Sequence, residues 1–188
     1  MAENENALPP LLQDLLGRYR AGLPQVDAIF AAMHGAGMFN NESELDNDHI
    51  AIRAFNAPGL GIDAAANAFL QFGYERRDHY RFEAKKLEAY WFSPPNDRWP
   101  RVFISELLIE ELSEQAQRIL GAYLGSDDPT AIGEAGIFDH LPWSTPSLAD
   151  YQFLTGESEY AAWTLCHGYA INHLTIAVHD LPEPHDHI

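Results

Sequence analysis

Two stretches of the chain share one pattern of apolar and polar positions. In residues 168–180, GYAINHLTIAVHD, the apolar Leu174, Ile176 and Val178 recur at every second position, the period of a half-buried β-strand. The opposite face of that strand carries His173 and His179. In residues 47–55, NDHIAIRAF, Ile50 and Ile52 share one face, while His49, Ala51 and Arg53 share the other. Placing His49 on His173 brings Asp48 onto Asn172, Ile50 onto Leu174, Ala51 onto Thr175 and Ile52 onto Ile176. The two stretches read as a repeated strand start.

The remaining periodicity supplies the frame. PPLLQDLLGRYRAGLPQVDAIFAAMHGAG predicts two short helices broken near Gly22 and Pro24, with Leu11, Leu12, Leu15 and Leu16 at helical spacing. After the polar loop NNESELDN and the first histidine strand, GIDAAANAFLQFG predicts a helix closed by Gly73. YERRDHYRF, LEAYWFS and RVFISEL predict three strands, with PPNDRWP as a turn before the last. The order is βαβββ. From LLIEELSEQAQRILGAY the pattern turns helical, with Ser113 as a cap. A long loop follows, and LADYQFLTGESEYAAWTLCHGYA predicts helix on either side of Thr155-Gly156. The fold class is α+β in one domain. N-terminal helices occupy residues 1–46, the βαβββ module 47–105, a helical insertion 106–170, and the first strand of a second, incomplete module 171–188.

Composition narrows the function classes. Hydrophobic residues make up 46% and charged residues 21% of the 188, the profile of a soluble globular protein. A net charge of −17 repels a phosphate backbone, which argues against nucleic acid as partner. No stretch is long and apolar enough to span a membrane, and MAENENALPPLL has no signal-peptide form, so a cytoplasmic protein is expected. The lone Cys166 excludes an intrachain disulfide and a thiolate zinc cluster, and has no neighbouring base in sequence.

The histidine strands carry the candidate chemistry. If they line one cavity, His49, His173 and Arg53 meet there beside the small Ala51, Thr175 and Ala177. Imidazoles suit iron and zinc, and two histidines with one carboxylate leave coordination positions open for substrate and O₂. Arginine offers a planar fork for a carboxylate. Each residue has a plainer reading, as a hydrogen-bonded strand histidine or a surface partner for the 28 acidic residues. His79 and His140 show no partner by spacing, and Tyr90, Trp91 and Phe92 read as core packing.

NDHIAIRAF, RVFISELLIEELS and EYAAWTLCHGYAINHLTI resemble the iron-dependent 2-oxoadipate dioxygenase/decarboxylase family, also called 2-hydroxyglutarate synthase. The resemblance spans about residues 14–178. It implies the fold of the vicinal oxygen chelate enzymes, built from paired βαβββ modules. It implies that His49 and His173 ligate Fe(II), that Arg53 holds a substrate carboxylate, and that a glutamate beyond the second motif completes the site. Vicinal oxygen chelate proteins often carry a carboxylate where Glu106 stands, which makes Glu106 a weaker candidate. His167, just upstream of His173, is another, at the cavity rim or merely at a helix end.

The activity implied is decarboxylation and hydroxylation of 2-oxoadipate by O₂ to give 2-hydroxyglutarate, in lysine breakdown. Two alternatives stay open: a non-catalytic member that keeps the fold, and another metal-dependent vicinal oxygen chelate enzyme such as an isomerase. Little sequence follows His173, so the expectation is a second module that stops early, weak iron binding, slow turnover, and self-association through an exposed sheet edge.

Overall fold

The computed structural model describes residues 8–125, 136–139, 141–177 and 181. Outside them lie His140, Val178, His179, His185 and His187, the first seven residues, and residues 126–135 of the long loop. Helices α1 (Pro10–Gly22) and α2 (Pro24–Gly35) break at Leu23, as the glycine and proline predict. Each begins with a proline, whose missing N–H costs nothing in a first turn. Leu12 and Leu15 anchor α1 in the core, whereas α2 buries none of its residues.

The βαβββ module forms in the expected order: β1 (Asn47–Phe55), α3 (Ile62–Leu70), β2 (Glu75–Phe82), β3 (Leu87–Ser93) and β4 (Arg101–Leu107). Gly73, with φ 84°, turns the chain out of α3 in the left-handed region that glycine tolerates. The sheet order is β2-β3-β4-β1-β5, with β4 parallel to β1 and β5 (Ile171–Ile176) antiparallel to β1 at the border.

Alternation gives this sheet two unlike faces. Ile50, Ile52, Ala54, Phe92, Val102 and Ile104 form one face, all fully buried with Ala65, Ala66 and Phe69 of α3 in a single core cluster. Burying each large apolar side chain contributes about 1.5–3 kcal/mol. The other face presents His49, Ala51 and Arg53 from β1, with Arg101, Phe103 and Ser105 opposite them on β4.

The insertion supplies α4 (Glu114–Leu124), α5 (Leu148–Glu157) and α6 (Glu159–His167). Each starts on a serine whose hydroxyl accepts a backbone amide three residues on: Ser113 from Ala116, Ser147 from Asp150, Ser158 from Ala161. The helix break expected at Thr155-Gly156 falls instead at Ser158, and α5 runs through Gly156. One glycine costs a helix only about 1 kcal/mol, while a serine cap both ends one helix and starts the next.

Candidate active site

Strands β1 and β5 place the two candidate ligands together. His49 lies opposite Thr175, and Ala51 lies opposite His173. Exchanging the two strands therefore carries the first pair onto the second, the local two-fold expected of a repeated strand start. The His49 and His173 rings meet edge to face with centroids 5.5 Å apart.

Hydrogen bonds orient both rings alike. His49 Nδ1 lies 2.7 Å from Asp48 Oδ2 and 2.8 Å from Thr175 Oγ1. A carboxylate only accepts, so Nδ1 carries a proton, and in the neutral ring the lone pair is on Nε2. His173 Nδ1 lies 3.1 Å from the Asn172 side-chain oxygen, which leaves its Nε2 in the same state. A second partner that fixes the tautomer is the usual support of a metal-binding imidazole. Burial, followed by the nearby His49 and Arg53, holds the His173 pKa below the usual histidine value, which keeps the ring neutral. This donor set fits a divalent metal with two ligands. Among the described residues no group of three or more His, Cys, Asp or Glu side chains comes together.

Arg53 follows one turn of the pleat beyond Ala51 on the same face. Its guanidinium lies 4.8 Å from the centre of the Tyr160 ring and 4.9 Å from that of Trp163, a pair of cation–π contacts. Tyr160 is itself pinned. Beyond the last β1–β5 pair, at Ile52, the Ala54 amide donates to the Tyr160 hydroxyl (3.1 Å), which donates to the Ser105 carbonyl (2.8 Å). The hydroxyl end is the enclosed part of a half-buried residue, and burial pushes its pKa far above the usual phenol value. Arg53, Tyr160, Phe103, Lys85, Lys86 and His173 line one cavity of about 390 Å³. His49 lines an adjoining cavity of about 400 Å³ with Trp91, Tyr80 and Arg101, and Phe103 borders both.

Two weaker candidates fall elsewhere. Glu106 alternates onto the opposite face, beside Ala54, so it does not reach the histidine pair. Its Oε2 accepts the Ile62 amide at 2.8 Å and serves as the N-terminal cap of α3 that Gly61 cannot provide. Burial raises its pKa, against the lowering effect of that bond. His167 ends α6, its ring tilted against Trp163 with centroids 4.7 Å apart, and lines a groove against α1. Trp91 is no core residue as expected: it walls the His49 cavity and donates to Asp78. Only Phe92 of that trio is fully buried. The residues that sequence reasoning missed are Tyr160 and Trp163. Their spacing of one helical turn beside an arginine strand was the available signal.

The family model for 2-oxoadipate dioxygenase/decarboxylase matches residues 11–133 and 126–188. This chain belongs to the 2-oxoadipate dioxygenase/decarboxylase family. Two curated plant relatives carry that name. The Oryza sativa protein is 47% identical over 149 residues, covering 71% of this chain and 40% of its own. The Arabidopsis thaliana protein is 43% identical over 155 residues, covering 75% and 42%. The chain thus spans about two-fifths of the length of these relatives.

Among solved structures, the Oryza sativa hydroxyglutarate synthase in complex with 2-oxoadipate superposes with TM-score 0.80 at 37% identity, over 94% of this chain and 62% of that one. A Ralstonia eutropha protein described as of the glyoxalase superfamily, at TM-score 0.70 and 20% identity over 88% and 60%, shares the fold. The α+β fold of the vicinal oxygen chelate type is thereby established for the family member described here. The expected cytoplasmic location is corrected by the same relatives, which are named chloroplastic/amyloplastic and chloroplastic. That expectation rested on a few N-terminal residues, which in a chain spanning two-fifths of its relatives carry no information on compartment. Among the described residues no helix is long and apolar enough to cross a membrane.

Proposed function

We propose that this chain provides two iron(II) ligands and the carboxylate anchor of a 2-oxoadipate dioxygenase/decarboxylase, which forms 2-hydroxyglutarate in lysine breakdown. The observation that carries the reading is that His49, His173 and Arg53 share one sheet face. The two Nε2 lone pairs of His49 and His173 would hold the metal, and a third donor would come from outside the described residues. Bound iron(II) supplies the activation of O₂ and the polarisation of the 2-oxo acid. The overall change balances: one O₂ enters, one CO₂ leaves, one oxygen atom ends in the new carboxylate and the other in the hydroxyl.

The protein's own groups do the positioning. Arg53 lies four residues along β1 from His49, roughly 13 Å at about 3.3 Å per residue. It is two residues from Ala51, the position opposite His173. A six-carbon dicarboxylate, about 6–7 Å long when extended, matches the two-residue step from the His173 level to Arg53 rather than the four-residue step from His49. Phe103 and the ring of Tyr160 reduce water between the two ends, and neutral His173 keeps its lone pair for the metal. The outer edge of β5 is where a further strand or a second chain would add, which is the route to self-association that accompanies this reading.

Anaerobic titration of Fe(II) or Co(II) into the protein carrying this sequence tests the metal site, with 2-oxoadipate-dependent O₂ uptake as the second readout. His49→Ala and His173→Ala should each abolish both. Asp48→Asn, which weakens the support of His49 together with the Asp48–Arg101 ion pair, should weaken metal binding by about 10–100-fold. Undiminished metal binding in both alanine variants would refute the assignment.

A further inference from the structure

We propose that Glu159 is an internal counter-ion of Arg53 that an incoming substrate carboxylate must displace, so that Glu159 sets both affinity and preference for dicarboxylates. This rests on the reading of Arg53 as the substrate anchor. The Arg53 side chain is only 17% exposed, and its plane is held by Tyr160 and Trp163. Its hydrogen bonding is nevertheless poor. Both Glu159 oxygens approach a single nitrogen, Nη1, at 3.3 and 3.4 Å. A well-made arginine–carboxylate pair uses two nitrogens in parallel at about 2.7–2.9 Å. Among the described residues Nη2 and Nε of Arg53 make no hydrogen bond.

Glu159 is correspondingly loose. Its side chain is 67% exposed, and it is the first residue of α6. The helix start does not depend on it, because the Ser158 hydroxyl already accepts the Ala161 amide. The carboxylate can swing into solvent with little loss. What remains is a fixed guanidinium whose unused N–H groups adjoin the 390 Å³ cavity. Lys85 and Lys86 line the same cavity and favour a second negative charge there.

Two consequences follow. A dicarboxylate must compete with Glu159 for Arg53, so removing the glutamate charge strengthens its binding. A 2-oxo acid with no distal carboxylate never engages Arg53, so it gains nothing. A merely structural role for Glu159 would predict equal effects on both ligands.

The test is calorimetric titration of 2-oxoadipate and of its monocarboxylate analogue 2-oxohexanoate into the metal-loaded protein, in four forms: wild type, Glu159→Gln, Arg53→Ala and the double variant. The pair is loosely made and open to solvent on the Glu159 side, so its loss is small and Glu159→Gln should tighten 2-oxoadipate binding about two- to five-fold. Binding of 2-oxohexanoate should not change, and in the Arg53→Ala background the Glu159 substitution should have no effect. Unchanged or weakened 2-oxoadipate binding in Glu159→Gln overturns the inference, as does an equal gain for both ligands. If Arg53→Ala leaves 2-oxoadipate binding intact, the anchor reading itself falls, a result separable from failure of the Glu159 inference alone.

Discussion

Tyr160 has two separable jobs, and the substitution Tyr160→Phe divides them. The hydroxyl accepts the Ala54 amide at 3.1 Å and donates to the Ser105 carbonyl at 2.8 Å, with the Ser105 hydroxyl at 2.9 Å. The ring lies under Arg53 at 4.8 Å. Phenylalanine keeps the ring and removes the hydroxyl. The Ser105 carbonyl then loses one bond, and its own hydroxyl can turn to soften that loss. The Ala54 amide has no such recourse, since the β1–β5 ladder ends at Ile52. An orphaned buried donor costs about 1–3 kcal/mol, so about 2 kcal/mol is expected in all. In a domain of this size 1 kcal/mol moves Tm by about 2–4 °C, which gives a fall of about 4–8 °C. Binding of 2-oxoadipate, measured on the folded variant well below its Tm, should stay within about two-fold because the cation–π contact survives. Tyr160→Ala should lose both. A Tm for Tyr160→Phe within about 1 °C of wild type would show that these bonds carry no net stability, and refute the reasoning.

Two further outcomes can be measured directly. A Cβ at Gly61 would stand 2.6 Å from Glu106 Oε2, so Gly61→Ala should push that carboxylate off the Ile62 amide it caps and cost about 0.5–2 kcal/mol in urea unfolding, the worth of a helix cap. The same substitution should cost clearly less in a Glu106→Ala background; additive costs would mean that the two residues are not coupled. Burial, and secondarily Arg53, lowers the His167 pKa below 6.5. As pH falls through 6.5 the unfolded chain takes up a proton that the native ring still refuses, so this group lowers stability from there down to its native pKa and contributes nothing above both values. An NMR titration should place the His167 midpoint below 6.5, and Arg53→Ala should move it part of the way back; a midpoint at or above 6.5 in the wild type contradicts this.

Much of this site was legible because a strand's two-residue period ties neighbours in sequence to a face in space. Once NDHIAIRAF is a strand, His49 and Arg53 must share a side, and Ile50 and Ile52 must lie on the other. The same rule excludes Glu106 from the pair, but only when the register is known. Glu106 is opposite Ala54, and Ala54 alternates with Arg53. Read alone, RVFISEL does not say which of its two faces joins the histidines. Pairing between β1 and β4 is a property of the sheet, so the placement of Glu106 waited on the structure.

The residues that sequence reasoning passed over share one feature. Tyr160 and Trp163 act on Arg53 across more than a hundred positions of chain, through the packing of α6 on β1. Helical spacing can put two aromatic rings on one side, yet it cannot name what they cover. On a surface, a tyrosine and a tryptophan one turn apart read as ordinary packing. Here they clamp a guanidinium that, among the described residues, keeps most of its N–H groups unused, with an exposed glutamate as its weak partner. A stability-driven arrangement would pair that cation fully. Holding the arginine rigid while leaving its donors open costs stability, and that cost makes sense where another carboxylate is to be bound.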